Sequence, residues 1–436
     1  MCQESPLEPP MKNKREKYRI NGDRLLRDLD EMKRKTDTPE KGVTRFSYGA
    51  KDKEARDYLI QEAEKIGLSV KKDPIGNLFF EFPENRGKPI ILAGSHIDTV
   101  QNGGWLDGIY GTLSVLEVLR RIQEEKLELG KSLQLVVFAE EEGSNFGSTL
   151  TGSKFFTGIY GKENLGSLKD QKGITLEDIL ARENYPNYDS SMVPNWNNIH
   201  AMVELHIEQG PVLEQEGIGI GIVNRIYGMK VVEFTLTGVG NHAGASPMKG
   251  RKDALAAGAA SILAVESCAI ELGQGKAVAT VGKMKIEPNA SNVIPEEVIF
   301  TVEVRSPQEE TINAVMREIT NRIEKISQDR CITCHHRKVA FSKPDSMNPK
   351  LIELLEDTAR EMGIPYLQMD SGAVHDACML APFVATGMIF VPSIGGRSHV
   401  PQEDTLAQDL VQGADLLLAV LLQLTDYKTN TSHIIK

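Results

Sequence analysis

The feature that most narrows the fold is a short apolar run, Pro89-Ile90-Ile91-Leu92-Ala93. It ends in Gly94-Ser95-His96-Ile97-Asp98-Thr99-Val100, and Trp105-Leu106-Asp107-Gly108 follows soon after. An unbroken apolar run bounded by turn residues is the pattern of a strand buried on both faces, as in α/β sheets. Polar residues directly after such a strand fall at its carboxyl end, where open α/β sheets bind their ligands. His96 and Asp107 are therefore candidate metal ligands.

The same arrangement recurs three times. Leu133 to Ala139 is apolar and runs into Glu140-Glu141-Glu142-Gly143-Ser144. Consecutive carboxylates at a buried strand end repel one another unless a cation lies among them. A solvated acidic loop is the plainer reading of such a charge run, but the apolar stretch before it favours a cation. In Met202 to Pro211, strand alternation sets Val203, Leu205 and Ile207 on one face and Glu204, His206 and Glu208 on the other. Gly387 to Val391 reads as another buried strand, leading to Gly395-Gly396-Arg397-Ser398-His399-Val400-Pro401-Gln402-Glu403.

Separate apolar strands thus deliver His96, Glu141 or Glu142, His206 and His399. Asp107 adds a carboxylate just before the helix expected over Gly111 to Gln123, where the helix dipole favours negative charge. This set is too rich in oxygen for a sealed structural zinc site, which is dominated by Cys. Mixed His and carboxylate ligands suit hydrolytic metals, and a shared carboxylate suits a pair of them.

Bulk properties bound the rest. A chain of 436 residues exceeds one ordinary core, so two domains are expected. A net charge of −11 argues against a nucleic-acid partner, which needs a basic face. Met1 to Arg19 is polar, without the apolar core of a secretion signal, and residues 1–20 read as a loosely docked leader. Leu416 to Leu424 is too short to span a bilayer. A soluble cytoplasmic protein with no membrane partner is expected. The five cysteines fit a reducing compartment. Cys331-Ile332-Thr333-Cys334-His335 matches the C-x-x-C-H pattern of haem attachment. With no export signal and no second Cys pair for zinc, a strand carrying two thiols is the simpler reading.

From about residue 213 the texture changes. Strands are expected over Met229–Thr237, Ala277–Lys285, Val298–Arg305 and Cys331–Val339, with helices over Asp253–Leu272 and Glu309–Ser327. The order β-α-β-β-α-β suggests an inserted ferredoxin-like α+β domain. The expected division is 1–212 and 331–436 for one α/β domain and 213–330 for the insert.

The motifs GSHIDTV (94–100), NGGWLDG (102–108), EEEGSNFG (140–147), ELHIEQGP (204–211), NHAGASPM (241–248), NASNVIP (289–295), SGAVHDA (371–377) and GGRSHVPQE (395–403) carry a resemblance. From about residue 20 onward the chain resembles the hydantoinase/carbamoylase branch of the di-zinc aminoacylase and aminopeptidase superfamily. That branch includes N-carbamoyl-L-amino acid hydrolases, β-ureidopropionases and allantoate amidohydrolases. The resemblance implies a catalytic α/β domain, a mixed sheet flanked by helices, interrupted by a smaller lid domain that also forms a homodimer. It implies two divalent metal ions per subunit, Zn²⁺ first, with Mn²⁺, Co²⁺ or Ni²⁺ as alternatives. His96 and His206 would hold one ion, Glu142 and His399 the other, and Asp107 would bridge them. Asp98 would orient His96, and Glu141 would be the general base. His242, from the partner subunit's lid, would stabilise the oxyanion. Asn292 and Arg305 would grip the carboxylate of a small-molecule substrate, with Gln209, Gly372 and Ala373 as further contacts.

The implied reaction is hydrolysis of a ureido C–N bond of an N-carbamoyl-L-amino acid or allantoate-like compound, by water activated between the ions, with release of ammonia. HIDTV and Leu106 look more like the allantoate enzymes. Asn145 departs from the branch, which usually has Arg there, and that bears on substrate identity. An aminoacylase or dipeptidase on the same metal pair is the rival enzyme reading. A metal-stabilised binding protein is the non-enzyme reading, and it would require a missing ligand or base.

Overall fold

The computed structural model describes residues 19–189 and 192–427. The leader expected over residues 1–20 lies outside these except for its last two residues. The chain forms two compact units. Among the described residues, one comprises 19–224, 347–369 and 375–427; the other comprises 225–346 with 370–374.

The first unit opens with helices α1 (Gly22–Lys33) and α2 (Ala50–Lys65). Asn21 caps α1 by accepting the Arg24 N–H. Strands β1 (Ser69–Lys72), β2 (Leu78–Glu81) and β3 (Ile90–His96) follow, then α3 (Ile109–Glu124), β4 (Ser132–Phe138), β5 (Ile199–Ile207) and β6 (Ile220–Ile226). Thr175 and Asp178 form a capping box on the short helix Leu176–Arg182.

The second unit contains β7 (Gly228–Thr237), α4 (Ala254–Gly273), β8 (Val278–Glu287), β9 (Glu297–Ser306), α5 (Glu309–Asp329) and β10 (Thr333–Ser342). Its sheet runs β10-β7-β9-β8 with every neighbour antiparallel. This is the order a β-α-β-β-α-β ferredoxin-like unit adopts. The chain then returns through α6 (Pro349–Glu361), β11 (Ala385–Val391) and α7 (Ala407–Leu424).

The first unit's sheet is mixed, in the order β1-β2-β4-β3-β5-β11-β6. Its four middle strands, β4, β3, β5 and β11, are parallel. Residues from α1, α3, α6 and α7 pack one face into a core with Leu113, Leu116, Leu205 and Leu417. The opposite face buries Leu92, Val136, Phe138 and Met202 against Phe156 and Leu380. With both faces covered, these strands have no solvent side, which explains their unbroken apolar runs. Parallel strands also end on the same edge of a sheet. The four polar clusters that follow β3, β4, β5 and β11 are thereby gathered along one line.

Three sequence expectations change. The boundary moves from 213 to 225, because β6 pairs with β11 and buries Ile220 and Ile222 in the first unit's core. The second boundary moves from 330 to 346, because β10 pairs with β7 from Thr333 to Ser342. Two helices among the described residues are long and apolar enough to cross a membrane: α4, with mean hydropathy 1.6, and α7, with 1.2. The whole helix, and not only Leu416–Leu424, supplies that length. In α7, 56% of the apolar window is buried inside the first unit, as in a core helix.

Candidate active site

Two candidate ligands stand at strand ends, and the others lie in the loops that follow strands. His96 is the last residue of β3, and His206 lies one residue before the end of β5. Both are buried. His96 Nδ1 lies 3.1 Å from the Asp98 carbonyl oxygen, and His206 Nδ1 lies 2.9 Å from that of Ile207. A proton on each Nδ1 satisfies those carbonyls and leaves each Nε2 as a lone-pair donor, the usual arrangement behind a metal-binding imidazole.

Asp107 sits between the histidines. Its Oδ1 is 3.4 Å from His96 Nε2 and 3.1 Å from His206 Nε2, and its Oδ2 is 3.3 Å from His399 Nε2. His399 Nε2 is in turn 3.4 Å from Glu142 Oε2. Two ligand groups therefore share Asp107: His96–Asp107–His206 and Asp107–Glu142–His399. Tetrahedral zinc with bonds near 2.0–2.1 Å separates neighbouring ligand atoms by roughly 3.3 Å. The four spacings bracket that value. Glu142 also has a buried oxygen, Oε1, with no hydrogen-bond partner, an atom that a cation would satisfy.

Without a cation, protons do the balancing. Burial, together with Asp107, pushes the Glu142 carboxyl up to about 8. A hydrogen bond to Asp107 raises the His399 imidazole to about 9. Asp107 is held well below the carboxylate range although burial opposes this, because His206, His399 and His96 surround it. Divalent cations at these positions would replace the protons on the imidazole and carboxyl groups. The residues fit such a pair.

Gly108 shows how tight the placement is. Its φ is +69°, and a Cβ there would lie 2.4 Å from His96 Nε2. Its N–H also donates to His206 Nε2 at 3.1 Å. Glu140, Gln209 and His399 hold positive φ values of 55°, 60° and 60°. Strained backbone of this kind clusters at functional sites.

Glu141 lies beside the ligands, its Oε2 3.6 Å from His96 Nε2. Burial, with Glu142, Asp376 and Asp98 nearby, pushes its carboxyl well above the usual range although His96 opposes this. The Asp98 backbone carbonyl, not its carboxylate, is the partner of the His96 ring. The carboxylate's Oδ1 is 3.7 Å from His96 Nδ1, and its two oxygens accept the backbone N–H groups of Glu141 and Glu142 at 3.2 and 3.1 Å. It therefore ties the acidic loop to the β3 loop. Gln209, expected to contact substrate, donates from Nε2 to Asp107 Oδ2 at 2.5 Å, and its Oε1 is buried and unpartnered.

The remaining expected contacts lie in the second unit and form two separate groups. Arg305 Nη1 donates to the Gly372 carbonyl at 3.1 Å, and Ala373 N–H donates to Ser371 Oγ at 3.2 Å. His242 and Asn292 meet in a small ribbon, where Val293 pairs with His242 and the Ala243 N–H donates to the Asn292 carbonyl. His242 is exposed. Its Nδ1 accepts N–H bonds from Gly244 and Ala245 at 3.1 and 3.0 Å, so its proton sits on Nε2. The ribbon lies near the Glu297 end of β9, and Arg305 lies near the other end. At about 3.4 Å per residue the two groups are roughly 25–30 Å apart. Asn292 and Arg305 of one chain are thus not brought together on one small substrate.

Several contributors escaped the sequence reading. Glu403 is buried and accepts hydrogen bonds from the Leu106 and Asp107 N–H groups. Glu204 accepts from Ser95 Oγ and the Ala377 N–H, and the His375 ring stands edge-on to His206 at 4.5 Å. Glu403 and His375 stand in the GGRSHVPQE and SGAVHDA motifs, and Glu204 shares a strand face with His206; those were the signals on offer. Asn145 donates from Nδ2 to the Ser47 carbonyl at 3.0 Å, so the position holds the acidic loop without a cation. Cys331 and Cys334 are free thiols, and neither belongs to a three-ligand group among the described residues.

The chain is similar to known proteins along most of its length. The pattern of peptidase family M20/M25/M40 matches residues 92–423. The N-carbamoyl-L-amino acid amidohydrolase of Geobacillus stearothermophilus is 35% identical over 407 residues, 93% of this chain and 99% of that protein. The allantoate amidohydrolase of Escherichia coli K12 is 34% identical over 398 residues, 88% of this chain and 94% of that protein. A crystal structure of a hydantoinase/carbamoylase-family amidase from Burkholderia multivorans superposes with a TM-score of 0.83 at 34% identity, covering 93% of this chain and 98% of that one.

Proposed function

The chain belongs to peptidase family M20/M25/M40, and on that premise we propose that it is a metal-dependent amidohydrolase that cleaves the ureido C–N bond of an N-carbamoyl-L-amino acid or allantoate-like substrate. The observation that carries this is the pair of ligand groups sharing Asp107, found in a chain whose relatives are N-carbamoyl-L-amino acid and allantoate amidohydrolases.

His96, Asp107 and His206 would hold one divalent ion, and Asp107, Glu142 and His399 the other. Zn²⁺ fits the spacing first; Mn²⁺, Co²⁺ or Ni²⁺ suit the same ligands, and availability decides among them. Bound there, the ions would supply Lewis acidity and lower the pKa of water. Glu141 takes a proton from the attacking water and returns it to the leaving nitrogen, a task that a carboxyl of raised proton affinity suits. Asp98 holds the Glu141–Glu142 backbone in place for that transfer. His242, with its proton on Nε2, donates to the developing oxyanion. Arg305 recognises the substrate carboxylate through its guanidinium fork, while Gln209 Oε1 offers an acceptor to the ureido group.

The separation of the His242–Asn292 group from Arg305 supports a site completed by the second copy of a homodimer, His242 and Asn292 coming from the partner. Helix α4 supports a dimer through this unit, because Leu263 and Ile270 are 66% and 72% exposed on it. The free thiols suit the reducing cytoplasm, where we place the enzyme. Reconstitution tests the proposal. Chelated protein should regain ammonia release from an N-carbamoyl amino acid as ions are added, saturating at two per chain. Full activity in protein verified to be metal-free would refute it.

A further inference from the structure

We infer that Glu403, acting through Ser398, is a positioning residue for the second ion of the pair, the one that Asp107, Glu142 and His399 would hold. The inference rests on the metal reading above.

Glu403 is 1% exposed and spends both oxygens on loops that carry ligands. Oε1 accepts the N–H groups of Leu106 at 2.9 Å and Asp107 at 3.1 Å. Oε2 accepts the His399 N–H at 3.3 Å and lies 2.7 Å from Ser398 Oγ. The same hydroxyl is 2.9 Å from Asp107 Oδ2. One buried side chain therefore joins the Asp107 loop to the His399 loop across some 296 residues of sequence. Its Ser398 neighbour touches the carboxylate oxygen that faces His399. The approach is so close that a Cβ on Gly104 would lie 2.0 Å from the Glu403 carboxyl carbon.

The other ligands have anchors of their own. His96 and His206 stand on strands, each with its Nδ1 on a backbone carbonyl. Glu142 is fixed by Asp98. The His399 side chain is 48% exposed, against 3% for His96 and 1% for His206. It sits on a backbone at φ +60°, a conformation that needs outside support. Removing the Glu403–Ser398 link should therefore loosen the span between Asp107 and His399. Asp107 Oδ1 would still face His96 and His206.

Zn²⁺ binding to the full-length protein provides the test. Competition with a chromophoric chelator, with ion content checked by elemental analysis, reads both affinities in wild type, Ser398→Ala and Glu403→Gln. Melting of the metal-free proteins is followed in parallel. Wild type should bind two ions. Both variants should keep one at wild-type affinity and bind the other about 10–100-fold more weakly, the usual effect of a residue that orients a ligand. Ser398→Ala should melt with wild type when metal-free, and it carries the test alone if Glu403→Gln does not fold. Equal weakening of both ions, or wild-type affinity for both, overturns the inference. A wild type that binds no pair refutes the underlying metal reading instead.

Discussion

At the scale of single residues, chemistry and scaffolding divide cleanly. The groups that face one another across the site are His96, Asp107, Glu142, His206 and His399; the histidines stood out as polar residues on or just after apolar runs, Asp107 as a carboxylate before a helix, and Glu142 only as one of three carboxylates. Glu141 stood out only as one of three carboxylates; its distinction from Glu142 came from the motif and agrees with its place beside His96. Glu140 instead turns inward, where its Oε1 accepts the Asn145 and Phe146 N–H groups. Glu141→Gln keeps the shape of the side chain but cannot take a proton. It should lower kcat by about 10²–10⁴-fold while ion content by elemental analysis stays at the wild-type value. Wild-type turnover in this variant would remove Glu141 from the reaction.

At the scale of elements, the site is a consequence of parallel pairing. β3, β4, β5 and β11 all point the same way, so four loops distant in sequence meet on one edge. Periodicity located these strands. It missed β6, whose sequence Ile-Gly-Ile-Val-Asn-Arg-Ile carries no clean alternation, and with β6 it misplaced the boundary of the second unit. It could not reveal what Glu403 and Glu204 hold, because a buried carboxylate is defined by who donates to it, and the Leu106, Ser95 and Ala377 donors lie 297, 109 and 173 residues away. Gly108 tests the loop geometry. Gly108→Ala adds a Cβ against His96 Nε2 and forces a positive φ on a residue that resists it at about 1–2 kcal/mol. Metal titration should show affinity at the His96–His206 position reduced by about tenfold or more, with far-UV circular dichroism unchanged. Unaltered affinity would mean that this loop does not set the histidine.

At the scale of the whole molecule, the site couples stability to pH and metal. Without metal, burial raises Glu142 to about 8 and the hydrogen bond to Asp107 raises His399 to about 9. A group whose pKa is higher folded than unfolded stabilises the fold below its unfolded value, and that stabilisation is lost as pH rises through the folded value. The metal-free protein should therefore lose stability as pH climbs toward 8 and 9. Cations bind the deprotonated forms, so their affinity should rise over the same interval. Thermal melts with and without Zn²⁺ should differ more at pH 8 than at pH 6, and a gap that narrows as pH rises would contradict the ligand assignment.

Ammonia release reports cleavage of a ureido C–N bond without any intermediate readout. Metal-loaded protein is offered N-carbamoyl-L-amino acids, β-ureidopropionate, allantoate, N-acetyl amino acids and dipeptides side by side, before and after chelation. Ammonia should appear from at least one ureido compound, be abolished by chelation and be restored by a divalent cation, with dipeptides and N-acetyl amino acids cleaved far more slowly. Cleavage of dipeptides or N-acetyl amino acids with no ammonia from any ureido substrate would contradict the proposed function.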